Sequence, residues 1–274
     1  MSPLSAGKFL KGVLGRVFPR CGMLSQAIAY NMFLAFFPTL LIAVGVATSQ
    51  TGSRTGLLDL IERFSAYLPP GSRQLVADYI MRRAPHAWRW TLLGLGGTLL
   101  AGSQVMRLIR EGIRLIYGDR ERFSFLRRQL QGLLLLCITI APLLVAAILG
   151  VFGRPLRHWL FREFGRRLYS EGFWSLLFVL AAMLLAMAGL TAIYRLARPG
   201  RQSWQAVLPG AALATLLWWN VNALFGFFVR RMQYGAVYGG LAAAIGLLVW
   251  MDLSAVVVFV GAAWNAERAA AKRG

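Results

Sequence analysis

An aspartate lies inside a long apolar stretch of the sequence. Asp252 interrupts the run "LLVWMDLSAVVVFVGAAWNAE", residues 247–267, within a segment that is otherwise hydrocarbon from Ala236 to Ala263. An ionised side chain at the centre of a bilayer costs roughly 2.5–3.5 kcal/mol on insertion scales. If this segment crosses a membrane, Asp252 must be protonated, paired with a cation or exposed to water, unless the helix is shifted and the side chain reaches an interface.

Other polar residues interrupt two further apolar runs. In the first run, Pro38 removes a backbone hydrogen bond that neighbouring groups must replace, which is common beside cavities but also in tight packing. In the fifth, Asn220 and Asn222 lie about 200° apart on a helix, so at least one faces other helices, either as an interhelical hydrogen bond or as cavity lining. We predict an intramembrane polar path that contains Tyr30, Asn31, Pro38, Asn220, Asn222 and Asp252.

The densest cluster of charge follows the second apolar run. Its first members are spaced at i, i+3, i+4 and i+7, so a helix leaving the membrane presents a basic stripe that includes Glu111. Guanidinium groups match the geometry of phosphate oxygens. The stripe therefore predicts one of two roles. It either binds lipid phosphate, or it only sets the membrane topology, with its charges solvated by water and ordinary lipid. The residues predicted to bind lipid phosphate are Arg107, Arg110, Arg114, Arg127 and Arg128.

The sequence offers little for catalysis. A metal-dependent nuclease needs clustered histidines and carboxylates, whereas His86 and His158 are isolated in basic segments. Cys21 and Cys137 form no CxxC pair and no disulfide framework. We predict no catalytic residue, metal site or cofactor, and these observations disfavour ribonuclease activity.

Composition identifies a membrane protein. Of 274 residues, 58% are hydrophobic and only 15% are charged, against about 25% charged in soluble domains. The net charge of +20 arises mostly from basic residues in short segments between apolar runs, where they contact lipid phosphates and set topology. The expected partners are thus membrane lipids, especially anionic ones, and envelope proteins, rather than nucleic acid.

The apolar runs predict an all-α, polytopic bundle of six transmembrane helices forming a single membrane domain, 1–274. A basic leader, 1–26, precedes the first span, and a tail, 265–274, follows the last. Two amphipathic segments, one before the second span and one at 154–172, are expected to lie at the membrane interface. At about 20 residues per crossing, the spans are predicted at 27–48, 88–108, 130–152, 173–195, 206–229 and 236–264.

The positions of lysine and arginine predict the orientation. The side that bears both termini holds 17 of the 30 basic residues. Because cytoplasmic loops carry the excess of basic residues, both termini are predicted to be cytoplasmic.

Four segments in order resemble the YihY/BrkB family of bacterial inner-membrane proteins. They are "AIAYNMFLAFFPTLL", "IREGIRLIYGDRERFSFLRRQLQGLLLL", "SWQAVLPGAALATLLWWNVNALFGFFV" and "YGAVYGGLAAAIGLLVWMDLSAVVVFVGAAWNAE". The resemblance implies six transmembrane helices in the cytoplasmic membrane and a role in the cell envelope; members were formerly misnamed ribonuclease BN. Where the family usually has a glutamate this chain has Ala263, which shares a helical face with Asp252 and Phe259, so this face is expected to point into the bundle.

Together these observations favour a protein that handles or translocates a lipid or a lipid-linked envelope component. The alternative is a non-catalytic envelope scaffold that binds partner proteins. The two hypotheses differ in whether the polar residues of the spans line one continuous path.

Overall fold

The computed structural model describes residues 3–18, 20–51, 87–119, 129–140, 171–198, 202–231 and 239–272. These residues form seven helices and no strand. The helices are α1 (Pro3–Val17), α2 (Arg20–Thr51), α3 (Ala87–Tyr117), α4 (Gln129–Ile140), α5 (Glu171–Leu196), α6 (Trp204–Arg231) and α7 (Gly239–Ala271). The all-helical prediction is thus confirmed for the described part of the chain, as expected where backbone groups cannot bond to water.

Four of these helices are long and apolar enough to cross a membrane. The qualifying segments are Thr91–Tyr117, Val179–Leu196, Trp204–Phe227 and Ala244–Ala271. Helix α2 contains the predicted first span, and α4 contains the start of the predicted third span, whose remainder lies outside the described residues. The described residues thus support several crossings, while the count of six stays a prediction.

Helices α3 and α7 both continue beyond their predicted spans. Helix α3 reaches Tyr117 and ends at Gly118, whose φ of 76° suits glycine. The Gly118 N–H donates to Leu115 O at 3.2 Å and the Asp119 N–H to Arg114 O at 3.0 Å, which is a Schellman end. The first three arginines of the basic stripe therefore lie on one continuous helix, as their spacing predicts.

The described chain divides into two compact units. Unit 1 comprises Met1–Leu24, Met106–Trp219 and Val256–Gly274. Its fully buried side chains include Ile113, Tyr194 and Phe259. Unit 2 comprises Ser25–Val105 and Asn220–Ala255, and its buried residues include Ile28, Ser103 and Met251.

Large apolar side chains remain exposed along the helices. On α3, for example, Leu93 is 64% and Leu100 67% exposed. Soluble monomers rarely expose contiguous apolar surface of this kind, so these helix faces suit contact with lipid. The predicted interfacial segment before α3 lies outside the described residues, as does nearly all of 154–172.

Candidate functional site

Asp252 occupies the middle of α7 in unit 2. The residue is partly exposed, yet its Oδ1 is buried and has no hydrogen-bond partner among the described residues. Farther along the same helix, Phe259 and Ala263 are fully buried. The face that these residues share with Asp252 therefore points toward protein at Phe259 and Ala263, whereas Asp252 itself is partly exposed.

Asn222 of α6 is held by α7 within the same unit. Its Oδ1 accepts a hydrogen bond of 2.8 Å from Trp250 Nε1, and the Phe225 ring lies 6.0 Å from the Trp250 ring. Asn220 is exposed. Asn222 thus forms a hydrogen bond between α6 and α7, and its partner Trp250 lies two residues before Asp252 on α7.

The predicted polar residues of α2 have separate surroundings. Tyr30 is 59% exposed, and Asn31 donates from Nδ2 to Ala27 O of its own helix at 2.8 Å. Pro38 packs closely on Gly94 of α3, where an added Cβ would lie 2.7 Å from the Pro38 carbonyl oxygen. Pro38 therefore takes part in a close helix contact.

Thr39, beside this proline, strengthens the same contact. Its hydroxyl lies 3.2 Å from that of Thr98 on α3. Small residues permit such close approach, and hydroxyl pairs add hydrogen bonds between helices.

The arginines of the basic stripe differ in their surroundings. Arg107 and Arg114 are partly exposed. Arg110 is 8% exposed, donates from Nε to Ala197 O at 3.0 Å, and donates from Nη1 to Gln131 Oε1. Its charge faces the C-terminal end of α5, where carbonyls lack helical partners and the helix dipole is negative. Arg127 and Arg128 lie outside the described residues.

A second arginine binds the end of α3. Arg198 donates from Nε and Nη2 to the two carboxylate oxygens of Asp119, at 2.6 and 3.0 Å. Its guanidinium carbon also lies 3.9 Å from the centre of the Tyr117 ring. The sequence pattern did not predict this pair, although the tripeptide Tyr-Gly-Asp at the end of an apolar helix signals the turn that positions Asp119.

A third arginine joins the leader helix to two other helices. Arg16 pairs with Glu267 of α7 at 2.7 Å and donates from Nη1 to Ile116 O of α3 at 3.2 Å. Gly12, one turn earlier, makes room for the Glu267 carboxylate. Because these partners are distant in the chain, no local spacing could have revealed them.

Asn265 bridges α7 to the first turns of α6. Its Oδ1 accepts from Gly210 N at 2.8 Å and its Nδ2 donates to Val207 O at 2.9 Å. These two groups flank Pro209, which has no N–H and weakens the helix there. Asn265 is 3% exposed, so the bridge is a buried amide whose oxygen and nitrogen are both hydrogen-bonded.

The described residues contain no group of three or more His, Cys, Asp or Glu side chains that could hold a metal ion. Both histidines lie outside those residues. Polar side chains bridge helices in both units, as Arg16, Arg110 and Asn265 do in unit 1 and Asn222 and Thr39 do in unit 2. These bonds can fix helix ends and helix contacts, whereas the buried Oδ1 of Asp252 has no such partner among the described residues.

Comparisons with known proteins agree with a membrane assignment. The family described as "Virulence factor BrkB" matches residues 19–274. The chain is 27% identical over 262 residues to the Bacillus subtilis protein named "ribonuclease-like protein YfkH". The aligned region covers 94% of each of the two chains. It is 27% identical over 248 residues to a "UPF0761 membrane protein" of Alkalilimnicola ehrlichii, and 27% identical over 264 residues to one of Nitrosospira multiformis.

The coverage of these relatives differs. The chain spans 54% of the Alkalilimnicola protein and 59% of the Nitrosospira protein, although 88% and 93% of the chain itself is matched. The two UPF0761 relatives are thus much longer than the matched region. No solved structure matches the chain.

Proposed function

The chain belongs to the BrkB family, and from that premise we propose that it is a multi-pass protein of the bacterial cytoplasmic membrane that handles or translocates a lipid or a lipid-linked envelope component. The family match and the relatives named as membrane proteins carry the membrane assignment. The action on a lipid rests on the polar groups within the apolar helices.

The proposed topology has six spans with both termini in the cytoplasm. Support comes from the basic residues, of which 17 of 30 fall on the side of the termini. Further support comes from unit 1, where Arg16 joins the leader helix to the C-terminal ends of α3 and α7. Arg198, just after α5, pairs with Asp119, just after α3. Helix ends that meet in this way are expected on one side of a membrane.

The observation that carries the proposal is the buried, unbonded Oδ1 of Asp252 within the apolar helix α7. Ionisable residues inside membrane helices are costly and usually serve a substrate or ion path. A carboxyl group forms hydrogen bonds with hydroxyl and amide groups. In this proposal, Asp252 binds a hydroxyl or amide of the polar headgroup as it passes through the membrane.

Arg107 and Arg114 are proposed to bind the phosphate of an anionic lipid at the cytoplasmic headgroup level, together with Arg127 and Arg128. Arg110 is left out of this proposal, because its guanidinium is buried against Ala197 O and Gln131. Changing Arg107 and Arg114 to glutamine should reduce the anionic lipid retained in native mass spectrometry, by up to about 1 kcal/mol per charge. Unchanged retention would assign the two arginines to topology alone.

The main experiment is a transport assay in proteoliposomes. Purified protein is reconstituted with head-labelled phospholipid or with a labelled lipid-linked saccharide, and the fraction of label reaching the opposite leaflet is followed by chemical quenching. We expect faster transfer than in empty liposomes, and loss of that acceleration with Asp252→Leu, which has a similar branched shape but cannot form hydrogen bonds. Thr139→Val also removes a polar group, here a hydroxyl that donates to Leu135 O of its own helix, and should leave the transfer rate unchanged.

A scaffold that binds envelope proteins is the second candidate. It is favoured by the number of polar groups already paired within the protein, such as Asn222 with Trp250 and Asn265 with Gly210. If the folded protein accelerates neither lipid, the transport proposal is wrong and the scaffold hypothesis becomes the better one.

A further inference from the structure

The leader helix α1 has two faces with different surroundings. With about 100° per residue, Gly12, Arg16, Phe9, Val13 and Val17 fall in one half of the helical circumference. Val13 and Val17 are each 1% exposed, and the Phe9 ring packs edge-on against Trp264 of α7, with centroids 4.8 Å apart. This half of α1 is therefore fixed to unit 1.

The opposite half carries an exposed apolar stripe. Leu10, Leu14 and Phe18 follow one another at i, i+4 and i+8 and are 53%, 44% and 50% exposed. Lys8 and Lys11 flank the stripe on one side and are also exposed. An apolar stripe beside lysines is typical of helices that lie in the headgroup region of a membrane.

The contacts of the packed half put this stripe beside helix ends. Arg16 donates to Ile116 O near the C-terminal end of α3 and pairs with Glu267 near the end of α7. Both helices contain an apolar segment long enough to cross a membrane, so their ends lie close to a headgroup layer. A helix fixed there, with lysines outward, complements the negative potential of anionic lipids.

We propose that the exposed half of α1 docks on the anionic lipid surface of the membrane that the chain spans, with Leu10, Leu14 and Phe18 inserted among the headgroups and Lys8 and Lys11 paired with lipid phosphates. The inference requires only that the chain is a membrane protein, and it is independent of lipid transport.

The first test measures the surroundings of single positions in the full-length protein in nanodiscs. In a background with Cys21→Ala and Cys137→Ala, an environment-sensitive fluorophore is attached to Leu14→Cys or to Gly15→Cys. Gly15 is the matched control, because it is exposed on the lysine side and no atom lies within 4 Å of an added Cβ. We expect spin-labelled lipid to quench the label at position 14 more strongly than the label at position 15, and aqueous iodide to quench the label at position 15 more strongly than the label at position 14.

The second test measures lipid preference at position 14. Quenching by spin-labelled phosphatidylglycerol is compared with quenching by spin-labelled phosphatidylcholine at equal mole fraction. We expect a preference for the anionic lipid of up to roughly fivefold for each lysine, which falls toward unity when Lys8 and Lys11 are both changed to glutamine. Lys272→Gln removes a charge of the same kind at the end of α7 and should leave the preference near its original value.

Three results would overturn the proposal. Iodide quenching at position 14 as strong as at position 15 would place the stripe in water. Energy transfer between labels on two chains, with no quenching by lipid, would make the stripe a contact between copies of the protein. A wild-type preference near unity would remove the role of the lysines. Size-exclusion profiles establish that each labelled variant is folded, and the transport assay is scored separately.

Discussion

Replacing Gly261 by alanine should loosen the packing of α7 against α5 and α6. A Cβ at Gly261 would lie 2.5 Å from Gly210 O and 2.8 Å from Ala214 Cβ, and closer still to the Tyr194 hydroxyl. That hydroxyl donates to Val258 O at 2.7 Å. Because Gly210 O is a backbone atom, the added methyl group can be accommodated only if a helix moves.

The expected loss follows from three terms. Overpacking costs typically about 1–3 kcal/mol, and losing the Tyr194 hydrogen bond costs about 0.5–1.5 kcal/mol more. Alanine in place of glycine within a helix returns about 0.5–1 kcal/mol. The net destabilisation is therefore roughly 0.5–4 kcal/mol. At about 2–4 °C per kcal/mol, the middle of this range lowers the melting temperature by roughly 4–9 °C.

Gly246→Ala is the matched control on the same helix. Its added Cβ would meet the Phe225 ring at 3.6 Å, which is ordinary van der Waals contact. This variant should keep or slightly raise the melting temperature, through helix propensity. The assay is the loss of the monodisperse size-exclusion peak of detergent-solubilised protein after heating. Equal melting temperatures for the two variants would refute the close contact at Gly261.

Three further predictions can be checked on the purified protein or in cells. Burial raises the pKa of the Cys21 thiol to about 11, so maleimide should label Cys21 slowly at neutral pH. The labelling rate should rise about tenfold per pH unit until the thiolate predominates. Rapid labelling of the folded protein at neutral pH would show that the Cys21 thiol is exposed to solvent. Reporter fusions should be extracytoplasmic after Arg83 and Arg167 and cytoplasmic after Gly274, and a cytoplasmic signal after Arg83 would make the six-span topology wrong. The protein should show no ribonuclease activity above contaminant level with or without Zn²⁺; activity that a single substitution in this chain abolishes would contradict this.

Local pattern was sufficient to predict much of the fold. Apolar runs of transmembrane length predicted the helices, because a helix pairs nearly all of its own backbone groups where water is absent. The spacing of Arg107, Arg110 and Arg114 predicted one continuous helix, and α3 contains all three. Both inferences depend only on neighbours within a few turns, which is the range over which sequence period and structure are directly linked.

Interactions between distant segments could not be predicted in the same way. The spacing of the basic stripe predicted that Arg110 binds phosphate together with Arg107 and Arg114. In the structure, the Arg110 guanidinium instead donates to Ala197 O at the end of α5. The Arg16–Glu267 pair joins the two ends of the chain. A helical period identifies which residues share a face, but not which helix that face contacts. Partners of buried charges therefore require the tertiary structure.

The polar residues of the membrane helices differ in a way that bears on function. Asn31 donates to a carbonyl of its own helix, whereas Asn222 and Asn265 bond to other helices and so stabilise helix packing. Asp252 is different, because its buried Oδ1 has no partner among the described residues. A buried polar atom left unbonded costs about 1–3 kcal/mol, and packing alone gains nothing from it. Stability alone would favour an apolar residue at this position, and this contrast with the bonded asparagines is our reason for proposing that a lipid headgroup binds Asp252.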